Sequence, residues 1–385
     1  MPSKIPARKS ILIVAGETSG DLLGAAILQQ WNKKGGKKLS FWGFGGGLMK
    51  NAGVEILRDI RELSVIGFWE ALANYKRLSS YLDELVDEAA KRNIAGAVLI
   101  DYPGFNLKLA KKLKALKIPV YQVVSPQLWA WHFSRIHTIR KYVDRVLCLY
   151  KFELKMYQDH GIEAEFIGHP VVQKIADFQK SHAGEIARLS RPKRKYRKVA
   201  LLPGSRKSEI SRHLPFLIEV AARFHQLHPD TLFEIPSASD HTSVLIGQYR
   251  LPAFISVREE APYMTLATSD SAIVCSGTAT LECALFNLPF LLIYKTSWAT
   301  WFLGKKLIRI PYIGLVNILR NSFVTKEFIQ SDMEESAVFT ELENITFDKD
   351  YIAKMQNEFA KVKAEVYSKN PALLAAAFFS GVFKN

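Results

Sequence analysis

Cysteine is scarce. Only Cys148, Cys275 and Cys283 occur in 385 residues, each inside an apolar run. That excludes a disulfide framework, and no Cys-x-x-Cys or His/Cys spacing marks a metal site. Buried thiols in a reducing compartment are expected. Long apolar runs are also missing: none approaches the ~20 residues that a spanning helix needs. Lys4, Arg8 and Lys9 precede only Ile11 to Ala15 before Gly16 and Glu17, too short a core for a secretion signal. A cytoplasmic protein is the expectation. No paired-carboxylate motif of the Asp-x-Asp kind marks a metal site, so no metal is expected. The glycines at 43, 45, 46 and 47 lack the Lys-Ser/Thr of a phosphate loop and do not follow the first strand as a dinucleotide fingerprint would. They read as a turn or flexible loop, and no cofactor is expected.

What the chain does have is positive charge. Lysine and arginine outnumber aspartate and glutamate 52 to 37, a net +15 shared by both halves. Nucleic acid, an anionic membrane surface and phosphorylated substrates all suit such a balance. The cations are scattered and no nucleic-acid recognition module is visible, so nucleic acid is not an expected partner. The length argues for two domains, each large enough for its own core.

Apolar runs and helical periods alternate from the start. Lys9 to Ala15, Leu39 to Phe44, Ala97 to Ile100, Val120 to Val124 and Asp144 to Leu149 read as strands, with helices between. Ala97-Val98-Leu99-Ile100 shows no alternation, as expected of a parallel strand covered on both faces. It ends on Asp101, before Tyr102-Pro103-Gly104. In open α/β sheets ligands gather at such strand ends. Asp101 reads either as a general base or as the N-cap or turn residue of the next helix. Ile66, Phe68, Trp69 and Leu72 form an apolar patch edged by Lys76 and Arg77, suited to acyl chains, a membrane surface or the packed face of a helix. Trp129 and Trp131 flank Ala130 in a loop after Pro126 and must pack on something. Phe166 to Pro170 closes this half as a strand into a turn, with His169 in the turn.

After the charged run from Pro192 to Lys198 the β-α pattern restarts, with strands at Val199 to Leu202, Leu232 to Pro236, Phe254 to Val257, Ala272 to Cys275 and Phe290 to Tyr294. The fold class is therefore α/β: two doubly wound, Rossmann-like domains facing a cleft. The expected spans are 1–170, 171–350, and C-terminal helices over 351–385 that cross back to the first domain. The second domain holds the stretch Ser276-Gly277-Thr278-Ala279-Thr280-Leu281-Glu282, a strand entering a helix through a glycine turn. Free N–H groups at such a helix start suit a phosphate, and Glu282 lies one turn in, within reach of a ribose. The alternative is an ordinary turn with Thr278 as N-cap. Aromatic and basic residues then cluster at Trp298, Trp301, Phe302, Lys305, Lys306 and Arg309.

A nucleoside-diphosphate sugar would suit these parts. Arg206 and the helix start after Gly277 would stabilise the departing diphosphate, Glu282 would hold the ribose, and Asp101 would take the acceptor's proton, inverting the anomeric centre.

Seven segments then fall in register between about residues 11 and 320: Val14 to Asp21; Ile100-Asp101 with Pro103 and Phe105-Asn106; Val124-Ser125-Pro126 with Trp129-Ala130-Trp131; Phe166 to Pro170; Leu201 to Arg206; Ser276 to Glu282; and Asn317-Ile318-Leu319. With these the sequence resembles the lipid-A-disaccharide synthases, inverting glycosyltransferases of the B-type fold. The resemblance implies transfer from UDP-2,3-diacylglucosamine to 2,3-diacylglucosamine 1-phosphate, giving the β-1′,6-linked disaccharide 1-phosphate and UDP. It implies Asp101 as base, with Ser205, Arg206, Ser276, Gly277, Thr278, Ala279, Glu282 and Asn317 on the donor side. Glu17, Ser19, Asn106, Ile66, Phe68, Trp69 and Leu72 fall on the acceptor or lipid side. It also implies peripheral binding at the cytoplasmic face of the inner membrane and, for at least some members, a homodimer paired through a swapped C-terminal region.

Three positions depart from the family's pattern. Gly104 replaces a frequent Asp, His132 a frequent Arg after Trp-Ala-Trp, and Val316 a frequent Pro before Asn317. They bear on the acceptor-phosphate contacts and on the Asn317 loop. The competing readings are a UDP-sugar epimerase or another B-type enzyme, and a non-enzymatic membrane-surface or nucleic-acid binder.

Overall fold

The computed structural model describes residues 9–33, 39–63, 75–189, 195–237, 239–259, 262–275, 277–298, 301–302 and 310–383. Ser276 and the patch residues Ile66, Phe68, Trp69 and Leu72 lie outside them. The chain divides into two compact units, Met1–Pro170 with Ser368–Asn385, and Val171–Tyr367.

The first unit is built on a seven-stranded sheet. Its strands are β1 (Ser10–Ala15), β2 (Ser40–Gly45), β3 (Val54–Asp59), β4 (Ile94–Ile100), β5 (Val120–Val123), β6 (Arg145–Cys148) and β7 (Ala164–Phe166). Every pair is parallel, in the order β3-β2-β1-β4-β5-β6-β7. All of β1 is buried, as its unbroken apolar run predicts for a strand with helices on both faces. The order reverses once, at β1, which has β2 on one side and β4 on the other. Ligand crevices form at such a switch point, beyond the carboxyl ends of the strands.

The second unit repeats the plan with six parallel strands: β8 (Arg197–Leu202), β9 (Thr231–Pro236), β10 (Ile255–Arg258), β11 (Ser271–Cys275), β12 (Phe290–Tyr294) and β13 (Glu327–Ile329). Their order is β10-β9-β8-β11-β12-β13, so the switch point lies between β8 and β11.

The chain crosses back only at its last helix. Helix Lys349–Val366 stays in the second unit, where Phe359 stacks on Phe290. Helix Pro371–Val382 belongs to the first unit, burying Ala375, Ala376 and Phe379 and bringing Phe379 and Phe383 against Tyr121. No described helix is long and apolar enough to cross a membrane.

The glycine cluster, whose Gly43 and Gly45 lie in β2 and whose Gly46 is the N-cap of the next helix, is not a flexible loop. It starts the short helix Gly47–Asn51, and the buried carboxylate of Asp21 accepts from the backbone N–H groups of Gly46, Leu48 and Met49 at 2.8, 3.1 and 3.0 Å. The turn that looks like an anion site holds an anion of its own chain.

Candidate active site

In the first unit, Asp101 is the residue directly after β4, and Gly16-Glu17 follow β1. Ala15 pairs with Ile100, so the two turns leave the sheet side by side at the switch point. Gly16 is required there: a Cβ would lie 2.3 Å from the Tyr102 ring. Asp101 and Tyr102 both take left-handed φ, 49° and 48°, which non-glycine residues adopt at a cost. The turn is held by Asn106, whose Nδ2 donates to the carbonyls of Ile100 and Asp101 at 3.2 and 2.7 Å, and by Asp101 N–H donating to Val123 O at 2.8 Å. Asn106 is fully buried. Its Nδ2, expected on the acceptor side, is spent on holding the Asp101 turn.

Asp101 is not the cap of the following helix, because Tyr102 occupies that position and Pro103 begins the helix. Burial, and then the nearby Glu17 carboxylate, raise its pKa above the ordinary aspartate value. A half-buried carboxylate with such a shift, at a strand end, has the character of a general base. Glu17 and Ser19 are exposed beside it.

The Trp129-Ala130-Trp131 loop follows β5. Trp129 Nε1 donates to Glu153 Oε1 at 3.1 Å, and its ring meets Phe152 edge-on at 5.5 Å. Glu153 is buried, and burial raises its pKa to about 7. His169 sits 5.7 Å from the Tyr150 ring, and burial lowers its pKa to about 4, leaving it neutral near pH 7.

In the second unit Leu202 pairs with Val274, so the turns after β8 and β11 also emerge together. Gly277, at φ 105°, is the N-cap of helix Thr278–Leu285, so the Thr278 cap reading is corrected by one residue. No heavy atom beyond its chain neighbours lies within 4 Å of the Cβ position of Gly277, so its outer side is open. Thr278 is exposed and Ala279 half-buried. The Ser205 turn is closed instead. Glu209 Oε2 accepts from the N–H of Ser205 and of Arg206 at 2.9 and 3.2 Å. The Ser205 hydroxyl is exposed, and the Arg206 guanidinium, 79% exposed, lies 3.8 Å from Glu209 Oε1, so both can still face a ligand. Glu282 is half-buried and accepts from Tyr263 Oη at 2.6 Å; burial raises its pKa.

Asn317 is fully buried. Its Nδ2 donates to Thr325 O and Glu327 Oε1, both at 2.8 Å, and its Oδ1 accepts from Val324 N and Thr325 N at 2.8 and 3.0 Å. Both polar ends of this side chain, expected on the donor side, hold its own loop.

Sequence reasoning missed His213. Its ring takes the N–H of Lys295 on Nε2 at 2.8 Å, while Nδ1 lies 3.2 Å from Pro203 O and 3.0 Å from Cys275 Sγ. One buried imidazole thus ties together the chain ends leaving β8, β11 and β12. It lies inside a helical period, and no local pattern distinguishes it.

A family model described as Lipid-A-disaccharide synthetase matches residues 11–378. The chain belongs to that family. The Lipid-A-disaccharide synthase of Myxococcus xanthus is 37% identical over 341 residues, covering 87% of each chain. That of Coxiella burnetii is 34% identical over 366 residues, covering 95% of this chain and 96% of the other. That of Geobacter sulfurreducens is 35% identical, covering 92% of each. Among solved structures, a Staphylococcus aureus MnaA–UDP complex superposes with a TM-score of 0.61 at 11% identity, covering 98% and 96% of the two chains. The calicheamicin glycosyltransferase CalG4 gives 0.58 at 13%, covering 99% of each. These likenesses show the B-type fold alone. Family membership makes the chain a glycosyltransferase of lipid A biosynthesis, and the epimerase alternative is not favoured.

Proposed function

We propose that this lipid-A-disaccharide synthase family member transfers 2,3-diacylglucosamine from its UDP derivative to the 6-hydroxyl of 2,3-diacylglucosamine 1-phosphate with inversion and without a metal. The observation that carries the reading is the half-buried carboxylate of Asp101 at the switch point of the first unit. It takes the proton of the acceptor hydroxyl as that oxygen attacks the anomeric carbon. The bond from that carbon to the diphosphate breaks, and UDP leaves. In the second unit the open helix start at Gly277, Thr278 and Ala279, with Ser276 and Arg206, holds the departing diphosphate. Fixed donors aimed at developing charge supply what a metal would otherwise supply. Glu282, braced by Tyr263, holds the ribose. Asn317 and His213 fix the loops that carry these groups. Glu17 and Ser19 face the acceptor side, with Asn106 behind Asp101.

Both substrates are lipids, and the chain carries +15. The enzyme therefore works at the cytoplasmic face of the inner membrane, alone or as a homodimer, with Ile66, Phe68, Trp69 and Leu72 on the acyl chains. The test is UDP release from the two diacylated substrates, with and without chelator. Wild type should turn over in both. Asp101→Asn should lose about 10²–10⁴-fold in kcat with an unchanged melting curve. No disaccharide from the wild type would sink the assignment; loss of activity with chelator would sink only the metal-free mechanism.

A further inference from the structure

Seven described arginines are half-buried. Six hold a carboxylate: Arg58 with Glu84 at 2.5 Å, Arg92 with Glu55 at 2.8 Å, Arg145 with Glu165 at 2.7 Å, Arg197 with Asp270 at 3.7 Å, Arg258 with Glu234 at 2.9 Å and Arg320 with Glu358 at 2.8 Å. Arg135 is the seventh, and among the described residues it forms no ion pair. A desolvated cation without a counter-charge is costly, and the other six described arginines of this kind avoid that cost.

The surroundings of Arg135 are ordered. Its guanidinium carbon lies 5.3 Å from the centre of the Trp131 ring, and the His132 ring lies 4.8 Å from that same ring. Trp131 is 41% exposed, although its neighbour Leu128 is buried and Trp129 is tied to Glu153. His132 holds a left-handed φ of 51°, and its carbonyl accepts from Arg135 N–H at 3.0 Å. The loop is thus anchored at Leu128 and Trp129, and presents an aromatic, an imidazole and an unneutralised guanidinium. It leaves β5, whose Val123 pairs with Ile100 just before Asp101. Desolvation lowers the Arg135 pKa, and no carboxylate opposes the shift.

We propose that Trp131, His132 and Arg135 form the seat for the phosphomonoester of the acceptor sugar. The inference rests on the acceptor named above. A guanidinium presents a donor fork that fits phosphate oxygens, and the Trp131 ring lies beside that fork. The seat gives the enzyme a way to require a phosphorylated acceptor while Asp101, on the neighbouring strand, handles the hydroxyl.

The experiment compares diacylglucosamine 1-phosphate with the same lipid lacking phosphate, in detergent micelles, by calorimetric binding and by UDP release. In the wild type the phosphorylated acceptor should be preferred. Arg135→Gln should cut that preference roughly 10- to 100-fold, through the acceptor KM and not the donor KM. Arg135→Lys, which keeps the charge and loses the fork, should fall between, and it decides the matter should the glutamine variant melt early. An undiminished preference in both variants overturns the seat, as does a change confined to the donor KM. Absence of turnover in the wild type counts against the proposed reaction, while the binding comparison still decides the seat.

Discussion

At the scale of single residues, the two carboxylates of the first unit are governed by burial. Asp101 is raised by desolvation first and by Glu17 second. Glu17→Gln removes the second cause, so the Asp101 pKa falls. Asp101, the proposed base, then stays ionised to lower pH, and the acid limb of kcat/KM against pH should move downward. A limb that does not move would separate Glu17 from Asp101. Glu153 is raised from 4.5 to about 7, mainly by burial. The folded state binds its proton more tightly than the unfolded chain does. Its stabilising contribution is therefore complete below pH ~4.5 and is lost as pH rises through ~7, to a limit of about 3 kcal/mol. Glu153→Gln cannot titrate and should flatten that decline. Melting temperatures of the two proteins from pH 4 to pH 8 are the check, and parallel curves would refute the buried charge.

At the scale of elements, the sheets were readable because their central strands are unbroken apolar runs. β3 and β13 escaped notice. Both are edge strands, with neighbours on one side only, and their sequences Val-Glu-Ile-Leu-Arg-Asp and Glu-Phe-Ile lack such a run. The site divides along the same line. Asp101, Gly277 and Glu282 sit at the ends of runs that anyone can mark. Glu153, His213 and Arg135 have meaning only through partners or through the lack of one. Trp129 is 24 positions from Glu153, and Cys275 is 62 from His213, distances that only the fold closes. The glycine cluster at 43–47, read as a turn or flexible loop, hid a helix start held by Asp21, 25 positions away from Gly46. Asp21→Ala would leave three N–H donors without their acceptor and should cost about 2–3 kcal/mol in chemical denaturation. Gly46→Ala should also destabilise, because its Cβ would lie 2.5 Å from Asp21 Oδ2. A neutral result for both would mean that the helix start is not held by this carboxylate.

At the scale of the whole molecule, the chain is two sheets, each with its own helices, and the last helix belongs to the first sheet although it follows the second in sequence. Each unit therefore has a core that a single substitution can address. Phe379 is 3% exposed and packs on Tyr121 and Phe383 in the first unit. Phe359 is 1% exposed and stacks on Phe290 at 5.6 Å in the second. Truncating a buried phenylalanine to alanine costs about 3–5 kcal/mol. Chains of this size need not unfold in a single step. Phe379→Ala and Phe359→Ala should therefore lower different transitions in scanning calorimetry, each leaving the other close to its wild-type position. Phe379→Ala should also loosen the sheet that carries Asp101, so activity should fail on heating before the Phe359 transition is reached. If both variants lower one shared transition by the same amount, the units unfold together and the last helix couples them.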